Sequence, residues 1–175
     1  MIAAGLALFL LATPQSGEPT WLNVRVVREG VAVPVSRPAT VASLLRKLVE
    51  GASVNSTSLV QVEARWSSAV SAASLVHVRF SRGQETRVRD SSQQRWNQML
   101  VTEILLAVPR DTWPDNILLK SDSGLTAVTK YSPCAMAELM QAADLAALDQ
   151  QRKRYGNREL LCGPGASGDQ GAVEQ

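Results

Sequence analysis

The sequence has little of what most catalytic sites need. Its 175 residues include two cysteines and a single histidine, His77, and aromatic residues make up only 5%. It contains no G-x-S-x-G nucleophile motif, no phosphate-binding P-loop and no EF-hand loop. A serine or cysteine hydrolase would therefore have to use His77 as its base. These absences favour a non-catalytic protein.

The sequence also has few of the residues that metal binding and redox chemistry require. Cys134 and Cys162 are too far apart for a C-x-x-C motif, and one histidine cannot build a histidine metal site. We therefore expect no metal and no cofactor. An even cysteine count suits a disulfide in an oxidising compartment, and a bridge would stabilise the fold by roughly 3 to 4 kcal/mol. Two unrelated thiols are the alternative.

No apolar run in the sequence is long enough to span a bilayer. Residues 1–17 carry no charged side chain, and the run from Ile2 to Ala12 is well under the roughly 20 residues of a transmembrane helix. That length is typical of a signal peptide, cleaved between Ala12 and Glu18. We expect a periplasmic or extracellular protein whose mature chain has no transmembrane span. An N-terminal membrane anchor, or a buried N-terminal segment, is the alternative.

Charge is uneven along the chain, although the net charge is only +2. Eleven basic and five acidic residues lie between Arg25 and Arg95, whereas acidic residues exceed basic ones after that point. Such an excess is typical of a solvated surface, or of a surface that meets an anionic partner. An anion-binding site, if present, is therefore expected in the basic first half of the chain.

Hydrophobic patterning predicts one α+β domain over residues 20–160, followed by a disordered tail at 163–175. We expect a mostly antiparallel sheet built from hairpins, with two packing helices at about 40–51 and 133–155. Alternation predicts strands on both sides of the Glu29-Gly30 turn, with Pro34 placing the second strand at an edge or lying near its end. Residues 117–131 read as a second hairpin.

Two further segments read as strands. In residues 58–66 the alternation places Val60, Val62 and Ala64 on one face. The apolar run at residues 99–109 suits a buried strand or a short helix, and its β-branched residues favour the strand.

The stretch "LVHVRFSRGQETRVR" at residues 75–89 predicts a hairpin with its turn around Gly83. One polar face of this hairpin would carry the candidate anion-binding residues, which are His77, Arg79, Arg82, Arg87 and Arg89. A register slip of one residue would place them elsewhere.

His77 reads most simply as a solvent-facing strand residue. If the protein has any chemistry, His77 with Glu63 or Glu85 is the pair to test first. A pair of carboxylates is the other option, drawn from Glu103, Asp111, Asp115 and Asp122.

Four tryptophans, Trp21, Trp66, Trp96 and Trp113, make up half of the aromatic residues. We expect them to pin the core or its edges, since a carbohydrate-stacking role would require exposed rings. The arginines of residues 75–89 have no interleaved aromatic residues, so nucleic-acid binding is not indicated. Asn55 begins a glycosylation pattern that matters only in a secreting eukaryote.

The stretch "LNVRVVREGVAVPVSRPATVASLLRKLVEG" resembles the start of the GerMN module of spore-germination and envelope lipoproteins in its order of strand, turn, strand and helix. The rest of the chain departs from that pattern, so no fold or residue role follows from it. The sequence predicts a non-catalytic binding or interaction module of the cell envelope or secreted space, with a protein or anionic partner. The alternatives are an anion- or polyanion-binding module using the arginine-rich hairpin, and a hydrolase of unknown class.

Overall fold

The computed structural model describes residues 21–50, 52–54, 59–90, 95–109 and 114–145. This part of the chain contains ten helices and strands. In chain order they are β1 (Trp21–Arg28), β2 (Val31–Val33), α1 (Pro38–Glu50), β3 (Ser53–Val54), α2 (Leu59–Val70), β4 (Leu75–Asp90), β5 (Arg95–Ala107), β6 (Ile117–Ser121), β7 (Gly124–Thr129) and α3 (Pro133–Ala142).

The strands form one seven-stranded sheet, which confirms the predicted α+β class. Its order is β2-β1-β4-β3-β7-β6-β5, and β4 also pairs with β5 on both sides of residues 80–83. The β4–β5 pairing closes a ring, because β5 leads through β6, β7 and β3 back to the end of β4. Among the strands of the described residues, only β3 and β4 pair in parallel. β2 is an edge strand, as Pro34 predicts.

Helices cover both faces of the sheet. α1 and α3 pack against each other on one face, above the larger core, which includes Leu45, Ile104 and Met140. α2 packs on the other face above a smaller core, where Val62 and Ala69 meet Leu105. Strand side chains alternate between the two faces of the sheet. Apolar side chains are therefore buried on both faces where helices cover them. None of the helices in the described residues has the length and apolar character needed to cross a bilayer.

Residues 59–70 form helix α2, so the predicted strand over residues 58–66 is wrong. Val62, Trp66 and Ala69 recur at helical spacing and turn towards the sheet. Val60 is 74% exposed while Val62 is 2% exposed, which a strand with both residues on one face does not allow. The "VQVEA" alternation is short enough to satisfy either period, and packing against the sheet selects the helix.

The chain does not turn back at Gly83, so the predicted hairpin over residues 75–89 is also wrong. β4 continues through Gly83 to Asp90, and its antiparallel partner is β5. The register shifts between Arg79 and Gln84, where the strand bulges. A Cβ atom at Gly83 would lie 3.1 Å from Cβ of Leu100. The glycine therefore serves a close approach to β5 rather than a turn.

Helix α3 begins as predicted and ends earlier. Ser132 caps it and Pro133 occupies its first turn. The helix ends at Ala142, and Asp144 takes a left-handed φ of +55°. The amide of Leu145 then bonds the carbonyl of Met140 at 2.9 Å, a Schellman closure with Asp144 where glycine is usual. A continuous helix over 133–155 is therefore wrong, and residues 146–155 lie outside the described part.

The remaining local predictions are confirmed. β1 and β2 flank the Glu29-Gly30 turn, and β6 and β7 form the predicted hairpin around Asp122 and Ser123. The apolar run at residues 99–109 belongs to β5, and α1 covers the first predicted helix. The 163–175 tail and the 1–17 leader lie outside the described residues.

Candidate functional site

Strands β4 and β5, which we call the ribbon, carry the sequence-predicted site residues at two separate places. His77 and Arg79 lie before the bulge, on the side of the sheet that α2 covers. Arg87 and Arg89 lie beyond it, opposite Gln98 and Trp96 of β5. Arg82 lies within the bulge itself and is exposed.

The first place is an ion cluster formed by His77, Arg79, Glu103 and Lys120. Nε2 of His77 lies 2.9 Å from Oε2 of Glu103, and Nε of Arg79 lies 3.5 Å from that same oxygen. Nζ of Lys120 lies 3.2 Å from Oε1 of Glu103. The Glu103 side chain is 14% exposed, so one nearly buried carboxylate of β5 binds three basic side chains, two from β4 and one from β6.

Strand register brings the ion cluster together. Glu103 of β5 is the direct cross-strand partner of Arg79 on one side and of Lys120 on the other. His77 precedes Arg79 by two residues and therefore shares its face, diagonal to Glu103. Oppositely charged partners directly across strands stabilise that register, and like charges there would oppose it.

Burial sets the protonation state of His77. Burial is the largest influence and lowers the pKa of His77 below the usual 6.5, against the opposing effects of the hydrogen bond and the negative charge of Glu103. The positive charges of Arg79 and Arg25 lower the pKa of His77 further. His77 is therefore neutral at pH 7, with Nε2–H donating to the Glu103 carboxylate.

Glu103 is held ionised by its partners. Burial is the largest single influence on its pKa and acts to raise it. Hydrogen bonds from His77 and Lys120, with the charges of those residues, together outweigh burial and place the pKa of Glu103 below the usual 4.5. Glu103 is thus a carboxylate throughout the physiological range.

The contacts of the ion cluster are those of a structural ion pair network rather than of a nucleophilic catalytic site. His77 bonds Glu103 instead of Glu63 or Glu85, the two partners predicted for it. The Trp66 ring meets the imidazole edge-on, with centroids 6.1 Å apart. Within the described residues, no hydroxyl or thiol forms a hydrogen bond with His77. Nor does any group of three or more His, Cys, Asp or Glu side chains there suit a metal ion.

The second place is a concave surface beyond the bulge, which we call the outer groove. It has a volume of about 460 Å³ and is lined by Glu50, Glu85, Arg87, Trp96 and Gln98. That volume lies within the range of small-ligand sites. Trp96 and Gln98 also line an adjoining groove of about 490 Å³, on whose far side lie Ser123 and Thr126.

Trp96 is the exposed aromatic residue of the outer groove. It is 61% exposed and belongs to neither hydrophobic core, so it does not meet the expectation that the tryptophans pin the core or its edges. Trp66 is half-buried and packs against the smaller core, as expected. Trp96 lies directly across from Arg89 on the neighbouring strand. The strand pairing thus places an aromatic ring beside the arginines, which the order of residues in the sequence does not show. Trp113 and the Trp21 side chain lie outside what the structure describes.

The guanidinium groups beyond the bulge differ from that of Arg79. Arg87 and Arg89 are exposed, and neither guanidinium forms a hydrogen bond or ion pair with any described residue. Arg79, by contrast, is an ion-pair partner of Glu103. Of the predicted anion-binding residues, Arg87 and Arg89 are thus the pair that remains available beside an exposed ring.

The other sequence candidates give no additional site. Cys134 is half-buried in the first turn of α3, and Cys162 lies outside the described residues, so their disulfide stays a prediction. Among the carboxylates, Asp122 accepts hydrogen bonds from the amides of Leu100 and Ser123 in the β6–β7 turn. Asp111 and Asn55 lie outside the described residues.

Comparison with known proteins finds no match for this chain among protein-family models, curated proteins or solved structures. Function is therefore inferred from the ion cluster and the outer groove.

Proposed function

We propose that the protein is a non-catalytic binding module that holds its ligand in the outer groove. The observation that carries this proposal is the exposed indole of Trp96, directly opposite Arg89, whose guanidinium has no ion-pair partner among the described residues. A large aromatic ring left in water on a folded surface costs free energy that ligand burial would recover. Exposed aromatic and arginine residues are also the types that dominate binding energy at interfaces.

The ion cluster supports a binding function over a hydrolytic one. A catalytic histidine needs a nucleophile or a water-filled pocket beside its free nitrogen. The described surroundings of His77 are instead Trp66 and three ion-cluster partners, and the side chain is only 15% exposed. We therefore assign His77 to the support of the ribbon and the ligand to the outer groove.

We propose further that the module acts outside the cytoplasm. The support is the apolar composition of residues 1–17, which carry no charged side chain, and the even cysteine count. The intact mass of the protein from its own host, with and without reduction and alkylation, tests this. A mass short of 12 to 17 residues, with both thiols protected, is the expected result. A full-length mass with two free thiols would overturn it.

A ligand screen with paired variants tests the binding function. The full chain is presented to immobilised glycans and anionic polymers, together with a Trp96→Ala/Arg89→Gln double variant. A Val31→Ala/Arg82→Gln double variant is the matched control, because it also removes one exposed apolar side chain and one exposed arginine. We expect binding by the wild type and the control that the groove variant loses. Binding to nothing, or binding that the groove variant retains, would overturn the proposal.

A further inference from the structure

We infer that the ligand of the outer groove is an acidic carbohydrate, whose sugar ring lies on Trp96 and whose carboxylate pairs with Arg89 and Arg87. This inference rests on the proposed function, since it names the ligand class for the same groove. It is carried by the combination of side chains that line the groove with Arg89, which lies across from Trp96, rather than by any one of them.

The ring of Trp96 supplies a flat apolar platform. Its exposure leaves an indole face available, and the C–H face of a pyranose is a flat apolar surface of matching size. Trp96 and Gln98 line both adjoining grooves, so the platform lies between two concave surfaces. An elongated ligand can therefore cross the ring and continue on both sides.

Two guanidinium groups lie beside the platform, and neither forms an ion pair with a residue that the structure describes. Arg89 is the cross-strand partner of Trp96, and Arg87 is the partner of Gln98, so these four side chains share one face of the ribbon. Cross-strand partners have Cβ atoms about 5 Å apart. A carboxylate on a ring stacked over Trp96 is therefore within reach of a guanidinium, which binds carboxylates in a two-pronged geometry.

The acidic residues of the groove select a hydroxyl-bearing ligand over a simple polyanion. Arg46 bonds Oε1 of Glu50 at 3.0 Å, and Gln98 bonds Oε2 of Glu85 at 3.1 Å. Each carboxylate keeps its other oxygen as an acceptor for a sugar hydroxyl. A densely charged polymer would instead be repelled by these two carboxylates.

A single platform also distinguishes a sugar from a nucleic acid. Single-stranded nucleic acids are bound along strongly basic grooves with several rings for successive bases. Among the described residues that line the outer groove there are one aromatic ring and two carboxylates. A pyranose has an apolar C–H face and a rim of hydroxyl groups. The aromatic ring suits the apolar face, and the planar polar side chains around the ring suit the hydroxyl groups.

Three small probes separate the ring from the charge. Trigalacturonate carries sugar rings with carboxylates, its trimethyl ester keeps the rings without the charge, and tricarballylate carries three carboxylates without a ring. Each is titrated by calorimetry into the full chain at low salt. The variants are Trp96→Ala, Trp96→Phe and Arg89→Gln, with Arg82→Gln as a charge-matched control in the bulge.

We expect trigalacturonate to bind at least about fivefold more tightly than either other probe. Trp96→Ala and Arg89→Gln should each weaken it by about five- to tenfold, which is the scale of one aromatic or charged contact. Trp96→Phe should recover part of the loss, and Arg82→Gln should stay within about twofold.

Three results would overturn the inference. Equal binding of tricarballylate would identify a simple anion site, and would leave the proposed function standing. A loss with Arg82→Gln as large as with Arg89→Gln would indicate general charge attraction. Binding of none of the three probes would reject the acidic sugar, while the screen with the paired double variants still decides the binding function by itself.

Discussion

Nε2 of His77 and Oε2 of Glu103 lie 2.9 Å apart although 26 positions separate the two residues in the sequence. The contact crosses the ribbon diagonally, on the face that α2 covers. It ties the single imidazole of the chain to a carboxylate that also binds Arg79 and Lys120. The pH response that we expect of the fold follows from it.

Stability should fall as the pH drops below 6.5. The pKa of His77 is lowered in the folded protein, so the unfolded chain takes up a proton at a higher pH than the folded one. The contribution of neutral His77 to the free energy of unfolding is then complete above pH 6.5. It decreases as the pH falls towards the pKa of His77 in the folded protein. Urea denaturation between pH 5 and 8 measures this.

His77→Gln is the control for that pH response, because His77 is the only histidine in the chain. The variant should show a flatter profile between pH 6.5 and 5. An unchanged slope would show that His77 does not cause the response. Below 4.5 both proteins should lose stability further, since the lowered pKa of Glu103 makes its protonation destabilising.

Replacing Glu103 should cost more stability than replacing an exposed glutamate of the same ribbon. Glu103→Gln leaves Arg79 and Lys120 without their carboxylate and should cost about 1 to 2 kcal/mol at pH 7. Glu85→Gln changes an exposed residue and should cost less than about 0.5 kcal/mol. Chemical denaturation of both variants gives the comparison, and equal costs would contradict the structural role of Glu103.

The pKa of His77 should fall further when Glu103 is neutralised. Glu103 raises that pKa through its hydrogen bond and its charge, whereas burial and the neighbouring arginines lower it. Glu103→Gln removes the negative charge and leaves the lowering effects in place. An NMR titration of the imidazole should give a value below 6.5 in the wild type and a lower one in the variant. A rise in the variant would contradict this arrangement.

The orientation of α2 can be tested with two valines two positions apart. Val62→Ala removes two methyl groups from a buried site and should cost about 2 kcal/mol. Val60→Ala changes an exposed position and should alter the free energy of unfolding by less than about 0.5 kcal/mol. Thermal or urea unfolding distinguishes the helix from a strand, for which both residues would be equally buried.

Trp96 should contribute little to the stability of the fold. Because its side chain is largely in water, Trp96→Ala should change the free energy of unfolding by less than about 0.5 kcal/mol. Leu105→Ala, on the same strand but fully buried, should cost about 2 to 5 kcal/mol. A large cost at Trp96 would mean that the ring supports the fold and would count against its role as a ligand platform.

Elements whose signals are local were predictable from sequence. The β6–β7 hairpin has turn residues between two apolar runs, and α1 has an apolar stripe at helical spacing. The start of α3 has a serine cap followed by a proline. Each of these is encoded within about a dozen residues, so no distant partner is needed to identify it.

Elements decided by packing were predicted wrongly. The glycine at position 83 suggested a turn, but the approach of Leu100 from β5 uses it as space in a continuous strand. Asp144 ends α3 in a left-handed conformation that glycine usually adopts, and its carboxylate pairs with Arg28 at 3.1 Å. These two positions differ from the local rules because a distant residue contributes to their conformation.

The sequence alone determined the α+β class, the edge position of β2, several element boundaries and the basic character of the first half. These properties follow from short-range periodicity, turn chemistry and composition. The tertiary structure alone decided that Glu103 is the partner of His77, that α2 is helical, and that Trp96 is exposed opposite Arg89. The physical reason is strand register, which pairs residues far apart in the chain and assigns each side chain to a face.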